Sequence, residues 1–214
     1  MMKTTRRQGF STLEIILVLL VVVILAAVGV AMFRNTPAPE PRDTCESNIK
    51  KLGQALLLYA NDSDDRLPPV VVANPAVYGW GGAIYPYVKS RRPFQCPQQK
   101  GAPSHPDAPT GAGYTDYYFN ENLDLLELKN VPFPGQTIML GEGNDGQEAP
   151  TARYAKEDLI ESWYLDISKP PYRHWDSAFY LYVDGHVLRL KPDYISSDRP
   201  GAPPRHAAAT FLTK

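Results

Sequence analysis

The 214-residue sequence predicts an α+β protein in which an N-terminal transmembrane helix leads to an amphipathic helix packed on a small antiparallel β-sheet. Three observations carry that prediction. Residues 15–33 form an unbroken run of 19 without a charged or strongly polar side chain. In "DTCESNIKKLGQALLLYAND", Cys45, Ile49, Leu52, Leu56 and Tyr59 recur at intervals of three and four, the period of one helix face. Farther on, the apolar runs 178–183 and 186–190 flank Asp184-Gly185, a strong hairpin signal because both positions tolerate positive φ.

The first element is long enough to span. At about 1.5 Å per helical residue, 19 residues nearly match a hydrocarbon core of roughly 30 Å. The run exceeds the roughly 7–15 apolar residues of a cleavable signal peptide. Lys3, Arg6 and Arg7 precede it and no comparable basic cluster follows closely, so the short N-terminus is expected in the cytoplasm and the remainder outside. With 43% hydrophobic residues, the rest of the chain can build one compact domain with its own core. The net charge is only −1, and the part beyond residue 33 is mildly acidic, which argues against a partner held by phosphate neutralisation.

After the membrane segment, prolines at 37, 39 and 41 predict an extended spacer over 34–42. Asp43 and Glu46 then fit a capping box opening a helix over 44–61. From 67 to 150, "LPP", "GWGG" and "YPYV" read as turns and short strands rather than helices, with one clear strand at 137–141. A short helix is expected over 156–163. A globular domain is expected over 43–195, with a loosely ordered Pro- and Ala-rich tail over 196–214.

The membrane segment carries one acid near its start, Glu14, where a carboxylate is costly unless partnered or within reach of the headgroups. Preceded by Lys/Arg and followed by the apolar stem, Gly9-Phe10-Ser11-Thr12-Leu13-Glu14 resembles the class III signal of type IV prepilins and type II secretion pseudopilins. The resemblance implies a pilin-like fold and a leader peptide over 1–9. It implies cleavage between Gly9 and Phe10 by a prepilin peptidase/N-methyltransferase, N-methylation of Phe10, and retention of 10–33 as an assembly helix. Its implied partners are other pilin or pseudopilin subunits and an inner-membrane assembly platform. Glu14 would neutralise the new amine on its own or a neighbouring chain, because a positive group at a helix N-terminus opposes the macrodipole. In that family one long helix usually joins stem and packing helix, so the prolines are a departure.

His174 precedes Asp184-Gly185 by nine intervening residues, in "HWDSAFYLYVDG". That spacing, with "CESNIKKLGQALLLYAND" at 45–62 and "CP" at 96–97, resembles the H-x9-DG group of bacterial pseudopilin-like proteins. The region 101–171 matches poorly. By residue type Ser177, His174 and Asp184 could form a catalytic triad, but no Gly-x-Ser-x-Gly context surrounds the serine, and no enzyme is expected.

Cys45 and Cys96 are the only cysteines; an even pair in an exported domain favours a disulfide over two buried thiols. Cys96-Pro97 with no further Cys or His nearby is not a zinc pattern, and no metal site is expected there. Major pseudopilins often bind Ca²⁺, but neither "NDSDD" at 61–65 nor "GEGNDGQE" at 141–148 has EF-hand spacing, and both read as solvated loops. The thirteen tyrosines and three tryptophans either fill a core or form a binding face. The two leading functions are therefore a filament subunit and a signal-anchored extracytoplasmic binding protein that does not polymerise.

Overall fold

The computed structural model describes residues 11–34, 41–70, 78–99, 108–144, 150–196 and 209–211. The chain divides into two units, 1–39 and 40–214. Residues Gly9 and Phe10 and the prolines at 37 and 39 lie outside the described residues.

The first unit is helix α1, Thr12–Arg34. Its stretch Thr12–Val30 has a mean hydropathy of 3.2 and is long and apolar enough to cross a membrane. Large apolar side chains from Leu13 to Val30 are exposed around its circumference. A helix apolar on every side needs an apolar surrounding, either lipid or other helices.

The second unit opens with α2, Pro41–Asp62. The spacer expected over 34–42 therefore does not include Arg34, Pro41 or Arg42, because α1 runs to Arg34 and α2 begins at Pro41. Proline suits the first turn of a helix, where its missing N–H costs nothing. Asp43 consequently lies inside α2 rather than capping it, and Glu46 pairs with Lys50 one turn on, at 2.5 Å. The apolar stripe is as expected, with Cys45, Ile49, Leu52 and Leu56 fully buried.

Residues 79–88, expected as turns, form helix α3, Gly79–Val88. Tertiary packing overrides the breakers. Trp80 stacks on Phe119 at 6.0 Å between ring centroids and donates its indole N–H to the Tyr154 carbonyl at 2.8 Å. Gly79 has φ +64°, and a Cβ there would lie 2.5 Å from the Ala152 carbonyl oxygen, so the glycine permits the close approach. Lys89 ends the helix in the left-handed region.

Five strands follow: β1 (Tyr117–Asn120), β2 (Ile138–Glu142), β3 (Ala155–Lys156), β4 (Ala178–Tyr182) and β5 (Val187–Leu190). They form one sheet in the order β3-β1-β2-β4-β5. The sheet is mixed rather than purely antiparallel, because β3 runs parallel to β1. The helix expected over 156–163 is shifted: Lys156 belongs to β3, and α4 spans Glu161–Leu165.

Both faces of the sheet are covered. Tyr117, Phe119, Phe179 and Leu181 pack towards α2 and α3, while Tyr118, Tyr180 and Tyr182 pack with Trp163 and Phe211. This is the period-two alternation of strands. In β2 the register shifts between Ile138 and Leu140, so Met139 and Leu140 both join the α2 side.

Phe211 belongs to the tail. Strands β6 (Ile195–Ser196) and β7 (Ala209–Thr210) pair in parallel, and the Phe211 carbonyl accepts from the Asn120 side chain at 2.9 Å. The loosely ordered tail expected from 196 onward thus does not hold for Ser196 or for 209–211. Buried apolar side chains and backbone pairing hold these residues to the domain.

Candidate functional site

Two places collect the residues that the sequence singled out. The first is the start of α1. Glu14 Oε2 accepts the Ser11 backbone N–H at 2.8 Å, and Ser11 Oγ accepts the Glu14 backbone N–H at 3.3 Å. This reciprocal pair is a capping box, which satisfies donors that a helix N-terminus leaves orphaned. Glu14 therefore has a role within its own helix. The pattern Ser-x-x-Glu in "STLE" is the local sequence signal for it.

The second place lies in the globular unit, between the first turns of α2 and the sheet. Cys45 of α2 and Cys96 of the "FQCP" loop form a disulfide, with an S–S distance of 2.11 Å. His174 lies beside it: Nε2 is 3.9 Å from Cys96 Sγ and 2.8 Å from Glu142 Oε1 at the end of β2. The other carboxylate oxygen of Glu142 accepts the Phe179 backbone N–H at 2.8 Å. Cys45, Glu142 and His174 have no exposed surface and Cys96 has 3%. His174 Nδ1 is buried with no hydrogen-bond partner among the described residues.

A second carboxylate, Asp116, flanks this group. It is fully buried, and it accepts from the Cys96 backbone N–H at 2.8 Å and from the Asn144 amide at 2.7 Å. Arg173 closes the layer by donating to the carbonyls of Gly143 and Asn144 and to Gln99 Oε1. The Tyr117 hydroxyl donates to the Cys45 carbonyl at 3.3 Å. Burial pushes the Tyr117 phenol well up, and the charges of Glu142 and Asp116 push it further. Buried polar groups joined in this way hold distant segments in one arrangement, because breaking any link strands its partner away from water.

The structure does not bring Ser177, His174 and Asp184 together as a triad. Ser177 Oγ donates to the His174 carbonyl at 3.2 Å, and the imidazole points to Glu142. Asp184 instead engages the imidazole of His186 at 2.5 Å. Strand β4 separates the two ends of the motif by about 17 Å at 3.3 Å per residue. The H-x9-DG spacing thus measures one strand. His174 fixes its start to β2 through Glu142, and Gly185 turns its end.

That turn differs in detail from the expected two-residue form. Tyr182 N–H donates to the His186 carbonyl at 2.9 Å and Gly185 N–H to the Tyr182 carbonyl at 2.9 Å, enclosing three residues. Only Gly185 has positive φ, +92°. A three-residue loop with a left-handed glycine last is the next common hairpin solution.

The acidic loops are held by protein groups. Asp64 and Asp65 are left-handed, and Asp65 N–H caps α2 at the Ala60 carbonyl. Asp62 accepts from the Tyr87 hydroxyl. In the second loop Glu142 is the partner of His174, and 145–149 lie outside the described residues. Most aromatics fill the cores, while Trp175 stands 89% exposed at φ +78°. Comparison with protein-family models, curated proteins and solved structures returns no match for this chain.

Proposed function

We propose that the chain is a prepilin-like structural subunit. It is inserted in the cytoplasmic membrane by α1, trimmed between Gly9 and Phe10, and built through its stem into a pilus or pseudopilus, without enzymatic activity of its own. The observation that carries this reading is the junction of Gly9-Phe10 with an all-round apolar helix whose capping acid is Glu14. An ordinary anchor needs only apolar length, whereas this one also has the residue pattern of a processed and retained stem. The basic N-terminus supports a cytoplasmic leader and an exported domain. Partners on this reading are the processing peptidase, other subunits and the assembly platform.

The capping box refines the part that Glu14 plays. In the unprocessed chain its carboxylate serves the orphan N–H groups of α1. After cleavage the amine of Phe10 would lie one turn away, and the same carboxylate is shared between cap and cation. Burial among stems would strengthen that pairing, and an out-of-register subunit would strand a charge.

The test begins with the N-terminus of the protein recovered from native membranes, read by mass spectrometry. A start at Phe10 is expected; an intact start at Met1 or Met2 would overturn the processing step. Glu14→Gln then separates the two duties, because glutamine can still close a capping box but carries no charge. Filament incorporation lost in both Glu14→Gln and Glu14→Ala assigns the charge to assembly. Incorporation retained by Glu14→Gln restricts Glu14 to capping.

Exposed Trp175 favours the second reading, an anchored binding protein. An aromatic held out on a left-handed backbone is strained, and strain of this kind clusters at contact sites. Ligand binding that survives Glu14→Ala and fails on Trp175→Ala would support it.

A further inference from the structure

Four side chains with metal-binding chemistry meet in one sealed place. The sulfurs of Cys45 and Cys96, one oxygen of Glu142 and one ring nitrogen of His174 all lie within 4.8 Å of one another. They come from four separate segments: α2, the loop at 94–99, the end of β2 and the loop before β4. While the disulfide is closed, its sulfurs are not thiolate donors, and only two of the four ligands are available. We infer that the reduced form of this cluster is a structural site for a divalent transition-metal cation, Zn²⁺ by donor type, and that metal and disulfide are alternative staples for the same four segments.

The geometry supports a closed tetrahedral site. Zinc bonds of about 2.0–2.3 Å place neighbouring donors roughly 3.2–3.8 Å apart. His174 Nε2 and Cys96 Sγ are already 3.9 Å apart, and Nε2 and Glu142 Oε1 are 2.8 Å apart. The largest change is the parting of the two bonded sulfurs, which cleavage of the disulfide itself brings about. Two thiolates beside a buried carboxylate would be three anions out of water, an arrangement that requires a cation. Thiolate and imidazole donors select zinc or its chemical neighbours over calcium and magnesium. The sequence hides the site because His174 is 78 residues from Cys96 and Glu142 is 46 from it.

The chemistry balances. A phosphine and one water convert the disulfide into two thiols and a phosphine oxide. On metal binding each thiol releases its proton to solvent, and the imidazole gives up the Nε2 proton that faces Glu142 and takes one from solvent on Nδ1, so that Nε2 is free to bind.

The experiment uses the full chain in detergent, oxidised or phosphine-reduced, freed of reductant without air and titrated with Co²⁺ alone. One equivalent should give a thiolate-to-cobalt charge-transfer band and intense tetrahedral ligand-field bands in the reduced protein only, and Zn²⁺ should bleach them. His174→Ala should weaken binding by at least about tenfold. A reduced, folded protein without these bands overturns the inference. So does unchanged binding in His174→Ala, which would mark two thiols capturing metal by themselves. If reduction unfolds the chain, Co²⁺ or Zn²⁺ must restore its circular dichroism, and failure to do so is equally decisive. None of these outcomes depends on whether the chain builds a filament.

Discussion

His174 finds its partner across the sheet, and that contact explains more than any property of the residue alone. The imidazole and Glu142 are both fully buried and 2.8 Å apart, so removing either strands His174 Nε2 or Glu142 Oε1 in the interior. His174→Ala should lower stability by about 2–4 kcal/mol, read from the midpoint of urea unfolding. Glutamine at the same position retains a donor and should lose less. A change no larger than that of a surface substitution would remove the anchoring role. The sequence marked His174 by its spacing to Asp184-Gly185, yet it placed Glu142 in a solvated loop. No local pattern reports a contact 32 residues apart between a loop and the end of a strand. Ser11 was missed for a different reason. Its capping pattern is local and readable, but the same residues also fit a cleavage signal in which Glu14 is the one charged position.

At the scale of elements, β4 is the strand on which the domain is organised. It pairs with β2 and β5 and lies against α2, where Gly53 allows Leu181 to approach so closely that a Cβ would sit 2.6 Å from its Cδ1. The turn that ends β4 depends on Gly185 at φ +92°. Gly185→Ala should therefore cost about 1–2 kcal/mol of stability. It should also broaden the amide signals of 182–187 in a nuclear magnetic resonance spectrum; an unchanged midpoint and spectrum would show that the turn tolerates an L side chain. Three-to-four periodicity made α2 legible, and short apolar runs beside turn residues made β2 and this hairpin legible. Helix α3 was hidden because Gly79, Gly81, Gly82 and Pro86 read as breakers, and what holds the helix is Trp80 wedged among Phe94, Phe119 and the Tyr154 carbonyl. The parallel edge pair β1-β3 and the docked strand β7 rest on contacts distant in sequence, with no turn chemistry to announce them.

For the globular unit as a whole, covering both faces of the sheet buries an unusual load of tyrosine, and this fixes how its stability responds to alkali. Tyr117, Tyr118 and Tyr180 are pushed well above 10.0 by burial and then by neighbouring charges, that of Glu142 foremost for Tyr117 and Tyr180. Burial also lifts Tyr182, with the charge of Asp184 adding to it, and raises Tyr114 to about 12. Unfolding returns each phenol to about 10. Between that value and the folded one, the native state binds more protons than the unfolded state, so stability falls as pH rises. Below about pH 10 the contribution is complete and flat. Above it, each such tyrosine removes up to about 1.4 kcal/mol per pH unit until its folded value is reached. Several acting together make the decline steep. Urea midpoints from neutral pH to pH 11 should hold level and then drop sharply past pH 10. Phenolate absorbance from the buried rings should rise in one step that coincides with loss of the circular dichroism signal. A single smooth titration near pH 10 of all thirteen tyrosines, with the fold intact, would mean that these rings are not sealed between the sheet and its two coverings.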